Sequence, residues 1–157
     1  MKILTKWDQR FLESARQKAA WSKDPSMKVG AVAVNPKRKM SISHGWNGFP
    51  RGIEDSYERL HNRPVKHQYM VHAEMNMIYN ATLNGISLDQ SALYVHGLPV
   101  CSKCSLGIIQ VGITSVICSI EEDLLTPEQI DQWVNHEWVL TKENFDEVGI
   151  EHTLVRL

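Results

Sequence analysis

Three cysteines in 157 residues are too few, and odd in number, for a disulfide framework. No repeat, low-complexity tract or Gly/Ser linker interrupts the chain, and its nine glycines and six prolines are scattered singly between periodic stretches. That excludes collagen-like and disordered architectures. Charge of one sign is missing too. Lys+Arg 17 stand against Asp+Glu 18, a formal net charge of −1, which argues against the strongly basic face that counterion release on nucleic acid requires. The longest aliphatic stretch, around Val29 to Val34, falls far short of a bilayer span. The start, Met1-Lys2-Ile3-Leu4-Thr5-Lys6, carries no apolar core of a secretory leader, so the expected setting is cytoplasmic, with reduced thiols and no membrane partner.

What is present is 43% apolar residues in a chain of single-domain length, 1–157. A fold of this size removes roughly 70% of the unfolded surface from water and needs no staples. Phe11, Leu12, Ala15 and Ala19 behind a Thr5/Asp8 capping pair predict an amphipathic helix over 6–21. Val29–Val34 and Met40–His44, joined by Asn35-Pro36-Lys37-Arg38, predict a β-hairpin. A long polar loop is expected from Gly45 to about residue 68, either functional or mobile. Beyond it the pattern predicts a helix over Val71–Leu83, a strand over Ala92–His96, a helix over Ser102–Val111 and a strand over Ser115–Ile120. A helical stretch over Pro127–Val148 and a strand over Glu151–Arg156 complete it. An antiparallel start followed by two strand–helix–strand units implies an α/β fold: a three-layer α/β/α arrangement with a five-stranded mixed sheet and helices on both faces.

The chemistry is concentrated in His72-Ala73-Glu74 and Cys101-Ser102-Lys103-Cys104, each at a predicted helix start. One imidazole and two thiolates give a zinc ion three protein ligands and leave the fourth position open, the catalytic pattern; a structural site closes it with a fourth Cys or His. Cys101 and Cys104 fall on one face of a first helical turn, where the helix end favours thiolates. Glu74 is two residues past the histidine and is read as a proton shuttle across the open position, not as a ligand. Alone, the Cys-x-x-Cys also fits a redox pair or a structural zinc, and His-Ala-Glu means little. Together they match the signature of zinc-dependent nucleobase deaminases, with Val100 standing where that signature has proline. Cys118, in an apolar strand, reads as a small buried hydrophobe.

At these residues the chain resembles the cytidine deaminase-like superfamily, and most closely its deoxycytidylate (dCMP) deaminases. The resemblance is carried by Ser22-Lys23-Asp24-Pro25 with Val29-Gly30-Ala31, by Gly45-Trp46-Asn47-Gly48-Phe49-Pro50-Arg51-Gly52, and by Tyr69 through Asn76. Cys101 to Cys104 and Ile108 to Ile113 complete it. It implies hydrolytic deamination of dCMP to dUMP and ammonia. Zinc is held by His72, Cys101 and Cys104, zinc hydroxide attacks C4, and Glu74 is the catalytic proton carrier. Substrate contacts are implied for Asn47, Tyr69, Ala73 and Asn76, although Tyr69 also reads as a hydrophobic staple and Asn76 as a structural hydrogen-bonding residue. Lys23, Asp24, Gly48, Phe49 and Arg51 resemble a region that binds a regulatory dCTP or dTTP, with Mg2+ on the triphosphate; the bland reading is a glycine-rich turn. The resemblance also implies a homo-oligomer, a hexamer or a dimer.

A phosphorylated substrate needs cations, and the pool is Arg51, Arg63, Lys66 and His67. Trp133 and Trp138 read as core packing or a subunit contact. Rival activities are deamination of dCTP, deoxycytidine or another cytosine nucleoside or nucleotide, a tRNA or single-stranded-DNA deaminase, and a non-catalytic zinc module.

Overall fold

In the computed structural model, which describes residues 2–157, α1 (Lys6–Ala19) begins on a reciprocal cap. The Thr5 hydroxyl accepts from the Asp8 amide at 3.1 Å, and the Asp8 carboxylate accepts from the Thr5 amide at 2.9 Å. The hairpin follows as β1 (Gly30–Asn35) and β2 (Met40–Trp46). Its turn is held by the Asn35 side chain, which accepts from the amides of Lys37 and Arg38. Then come α2 (Tyr57–His61), α3 (Arg63–Tyr69), α4 (Ala73–Leu83), β3 (Ala92–His96), α5 (Ser102–Gln110) and β4 (Ser115–Ile120). After a 3-10 turn at Glu122–Leu124, a short α6 (Pro127–Gln129) continues through a π-helical stretch (Ile130–Glu137) into α7 (Trp138–Val148), and β5 (Glu151–Arg156) ends the fold.

The sheet order is β2-β1-β3-β4-β5, antiparallel from β2 to β3 and parallel from β3 to β5. The expected α/β/α sandwich is therefore observed, because the two late strand–helix–strand crossovers force parallel pairing. Alternation along β1 divides the core in two. Val32 and Val34 join Phe11, Leu12 and Tyr94 beneath α1, while Ala31 and Ala33 face the larger cluster made with α4, α5 and α7. All three cysteines lie in that larger cluster, and Cys118 is the buried hydrophobe expected of it: burial pushes its thiol up to about 12.

Two glycines allow the close approaches that position the site. A Cβ on Gly45 would sit 2.4 Å from the Met77 backbone nitrogen, so β2 and α4 touch backbone to backbone. Gly97, just past β3, holds φ +120, and a Cβ there would sit 2.3 Å from the Lys28 carbonyl oxygen.

The expected loop from Gly45 to about residue 68 differs from the structure, which builds α2 and α3 within it. Their N-caps are Ser56, accepting from the Arg59 amide, and Asn62, accepting from the Val65 amide. Both helices are too short for apolar periodicity to reveal them. The whole excursion is closed at its ends by a bridge between Gly48 and Val71. Among the described residues, no helix is long and apolar enough to cross a membrane.

Candidate active site

His72 is the N-cap of α4 and Cys101 the N-cap of α5, so both metal-type donors stand at helix starts at one end of the sheet. Cys104 follows in the first turn of α5, and its amide donates to Cys101 Sγ at 3.4 Å. His72 Nδ1 lies 3.4 Å from each sulfur, and the three donor atoms fall within 4.8 Å of one another. A tetrahedral ion with bonds of about 2.1 Å to nitrogen and about 2.3 Å to sulfur separates such donors by roughly 3.6 Å, so the spacing fits zinc. No fourth Cys, His or carboxylate joins the group among the described residues.

The charges of this donor set point the same way. With protons alone to balance it, the site supports one thiolate: donation from Cys104 and His72 pulls Cys101 down to about 4. Cys104 is pushed far above its ordinary value by that same bond and by burial, and the Cys101 contact raises His72 to about 9. A divalent cation lets both thiols ionise and the imidazole stay neutral, which is the ligand state zinc requires.

Glu74 is 3% exposed, in the first turn of α4, close enough to His72 and Cys101 for their charges to act on its carboxyl. Burial pushes it up to about 7, against the pull of His72. It thus stands beside the metal donors without belonging to them.

These residues open on a cavity of about 610 Å³. Of the sequence-expected positions, Asp24, Asn47, His72, Ala73, Glu74 and Cys101 line it. Asn47 is already engaged: its Oδ1 accepts from the Val29 amide at 2.8 Å and its Nδ2 donates to the Met27 carbonyl at 2.9 Å. Its amide oxygen keeps one lone pair. Asp24 accepts from the Ser26 and Met27 amides and pairs with Lys66 Nζ at 2.9 Å, both side chains buried. Of the phosphate pool, Arg63, Lys66 and His67 line the cavity and Arg51 does not.

The remaining expected positions lie outside this cavity. Asn76 Nδ2 donates to the Trp46 carbonyl at 2.8 Å, the structural reading of that residue. One turn on, Asn80 Nδ2 donates to the His44 carbonyl at 2.7 Å, and Arg51 binds the Asn80 side-chain oxygen. Edge strand β2 is thereby fastened to α4 through alternate carbonyls. Tyr69 packs on Phe49, ring centroids 5.5 Å apart, beneath the Arg59 guanidinium. Lys23 pairs with Asp55 at the surface, at 2.9 Å.

Sequence reasoning missed part of the wall. Thr126, Gln129, Gln132 and Trp133 also line the cavity, and Trp133 presents to His72 edge-on at 6.1 Å. The Thr126-Pro127 start with Gln129 is a capping-box signal for that wall. Glu137, the last residue of the π-helical stretch, and Thr141 and Asn144 of α7 reach the start of α5. Glu137 accepts from the Ser102 amide and hydroxyl, at 2.9 and 2.8 Å; Thr141 donates to the Val100 carbonyl, and Asn144 to the Ser105 hydroxyl.

Comparison with known proteins agrees with this geometry. The family model for the cytidine and deoxycytidylate deaminase zinc-binding region matches residues 5–120. An uncharacterized deaminase from the luxG 3′ region of Aliivibrio fischeri is 33% identical over 99% of this chain and 97% of its own length. The deoxycytidylate deaminase of Mus musculus is 37% identical over 71% of this chain and 63% of its own length. In fold, the chain is similar to the dCMP deaminase of cyanophage S-TIM5 solved with dCMP and dUMP, at TM-score 0.72 and 24% identity over 98% of this chain and 100% of that one. A three-donor metal site, a buried carboxylate beside it and a family match that spans both place this chain in the cytidine and deoxycytidylate deaminase family.

Proposed function

We propose that the protein is a zinc-dependent hydrolase that deaminates dCMP to dUMP and ammonia. The observation that carries this reading is Glu74, buried beside three zinc-type donors at the floor of a cavity of about 610 Å³. His72, Cys101 and Cys104 would hold the metal, which when bound would lower the pKa of a water toward neutrality. Glu74 takes a proton from a water whose oxygen adds to C4 of the ring and delivers it to N3; it then takes the proton of the new C4 hydroxyl, which becomes a carbonyl, and delivers it to the exocyclic amine. The C4–N bond breaks and ammonia leaves. Ala73, whose amide belongs to the first turn of α4 and has no partner within that helix, offers a donor to the ring carbonyl. The free lone pair of Asn47 Oδ1 accepts from a sugar hydroxyl.

Relatives named deoxycytidylate deaminase, such as the mouse protein, support the choice of a cytosine deoxynucleotide. The near-zero net charge supports a mononucleotide over a strand. The reading extends to one catalytic unit over residues 1–157, a cytoplasmic setting, a homo-oligomer of dimer or hexamer type, and regulation by dCTP or dTTP with Mg2+. Lys23, Asp24, Gly48, Phe49 and Arg51 are the candidate region for the effector. Ammonia release from cytosine, cytidine, deoxycytidine, dCMP, dCTP, adenosine and single-stranded DNA tests the substrate. Turnover confined to dCMP upholds the reading, and turnover of the others in its place overturns it. Assays with and without dCTP or dTTP test the regulation, which a lack of response to either would exclude.

A further inference from the structure

Helix α3 brings Arg63, Lys66 and the imidazole of His67 to the rim of the cavity, and the structure divides them into two kinds. Lys66 is turned inward: its side chain is 6% exposed, and its ammonium donates to Asp24 Oδ1 at 2.9 Å and to Ser26 Oγ at 3.0 Å. Asp24 cancels its charge. Arg63 and His67 are different. They are one helical turn apart on the same side of α3, exposed, and without an ion-pair partner among the described residues. Arg51, the remaining loop cation considered, is committed to Asn80 outside the cavity.

Resting on the dCMP reading above, we infer that Arg63 and His67 form the subsite for the phosphate of the substrate, and that Lys66 is withheld from it by Asp24. A guanidinium gives a phosphate two parallel N–H donors, and an imidazole adds a third. The base goes to the Glu74 end of the cavity and the phosphate to the α3 rim. Glu128, an exposed carboxylate that also lines the cavity, works against a dianion in it.

The test compares kcat/KM for dCMP and deoxycytidine, which differ only in the phosphate. Arg63→Gln and His67→Asn are each expected to lower the dCMP-to-deoxycytidine ratio about tenfold or more. Glu128→Gln is expected to raise it. Both side chains are exposed, so the variants should fold, and zinc content confirms it. A ratio unchanged in the double variant R63Q/H67N overturns the subsite and leaves the dCMP reading standing. A wild-type protein with no preference for dCMP over deoxycytidine overturns that reading, and the subsite with it. Calorimetric binding of dUMP against deoxyuridine reads the same contrast without turnover, with the loss in R63Q/H67N expected for dUMP.

Discussion

Gly48 and Val71 exchange two backbone hydrogen bonds, at 3.1 and 2.8 Å, and so close the long excursion after β2 one residue before His72. The position of a metal-type donor is thus set by a glycine more than twenty positions earlier in the chain. A Cβ at Gly48 would meet nothing within 4 Å, so the amide matters there and the lack of a side chain does not. Gly48→Ala is therefore expected to keep stability within about 0.5 kcal/mol. Gly48→Pro, which deletes the donor, is expected to weaken zinc retention under a chelator challenge. Equal zinc retention in the two variants would refute this role.

Replacing Glu74 by Gln keeps the shape of the buried side chain and removes its capacity to carry a proton. Turnover is expected to fall by about 10²- to 10⁴-fold while bound zinc, measured by elemental analysis, stays at wild-type level. Retained turnover would defeat the assigned role, and lost zinc would move Glu74 into the ligand set.

Lys66→Met would leave Asp24 buried without its counter-charge. Breaking a buried pair in this way costs about 3–5 kcal/mol, read as a lower urea midpoint. Asp24→Asn combined with Lys66→Met is expected to recover part of the loss, and failure of that recovery would show that the pair acts by packing alone.

Acid stability should depend on Asp8. Burial opposes its ionisation, but donation from the Thr5 amide and the Tyr94 hydroxyl more than offsets this and holds the carboxyl below its ordinary 3.8. A carboxyl depressed on folding stabilises the protein fully above the unfolded value and loses that contribution as pH falls through the folded one. The gap in unfolding midpoint between wild type and Asp8→Asn should accordingly be widest near neutrality and narrow below pH 3.8. A gap that does not change with pH would refute it.

The sheet was largely legible because its strands obey strong local rules: three of the five, Ala92–His96, Ser115–Ile120 and Glu151–Arg156, run as the pattern predicts. The metal donors were legible because their spacing is itself chemistry. The cavity walls were not. Asn47, Asn76 and Arg51 carry polar side chains that suit a ligand equally well, and only the fold reveals that backbone groups engage the two asparagines and the Asn80 side chain engages Arg51. Trp133 reads as core from its apolar neighbours, yet the π-helical stretch turns it toward His72. Such a local widening of the helix leaves no periodic trace in the sequence.

Glu137, Thr141 and Asn144 recur at helical spacing from the end of the π-helical stretch into α7 and grip the start of α5, yet residue 120 is where the family match ends. The segment after residue 120 is therefore no appendage that can be exchanged freely between relatives. A tail grafted from another member must bring partners for Ser102, Val100 and Ser105, or the thiolate helix loses its footing. Divergence in this part of the chain is constrained by three polar contacts that an alignment of the zinc motifs alone would never reveal.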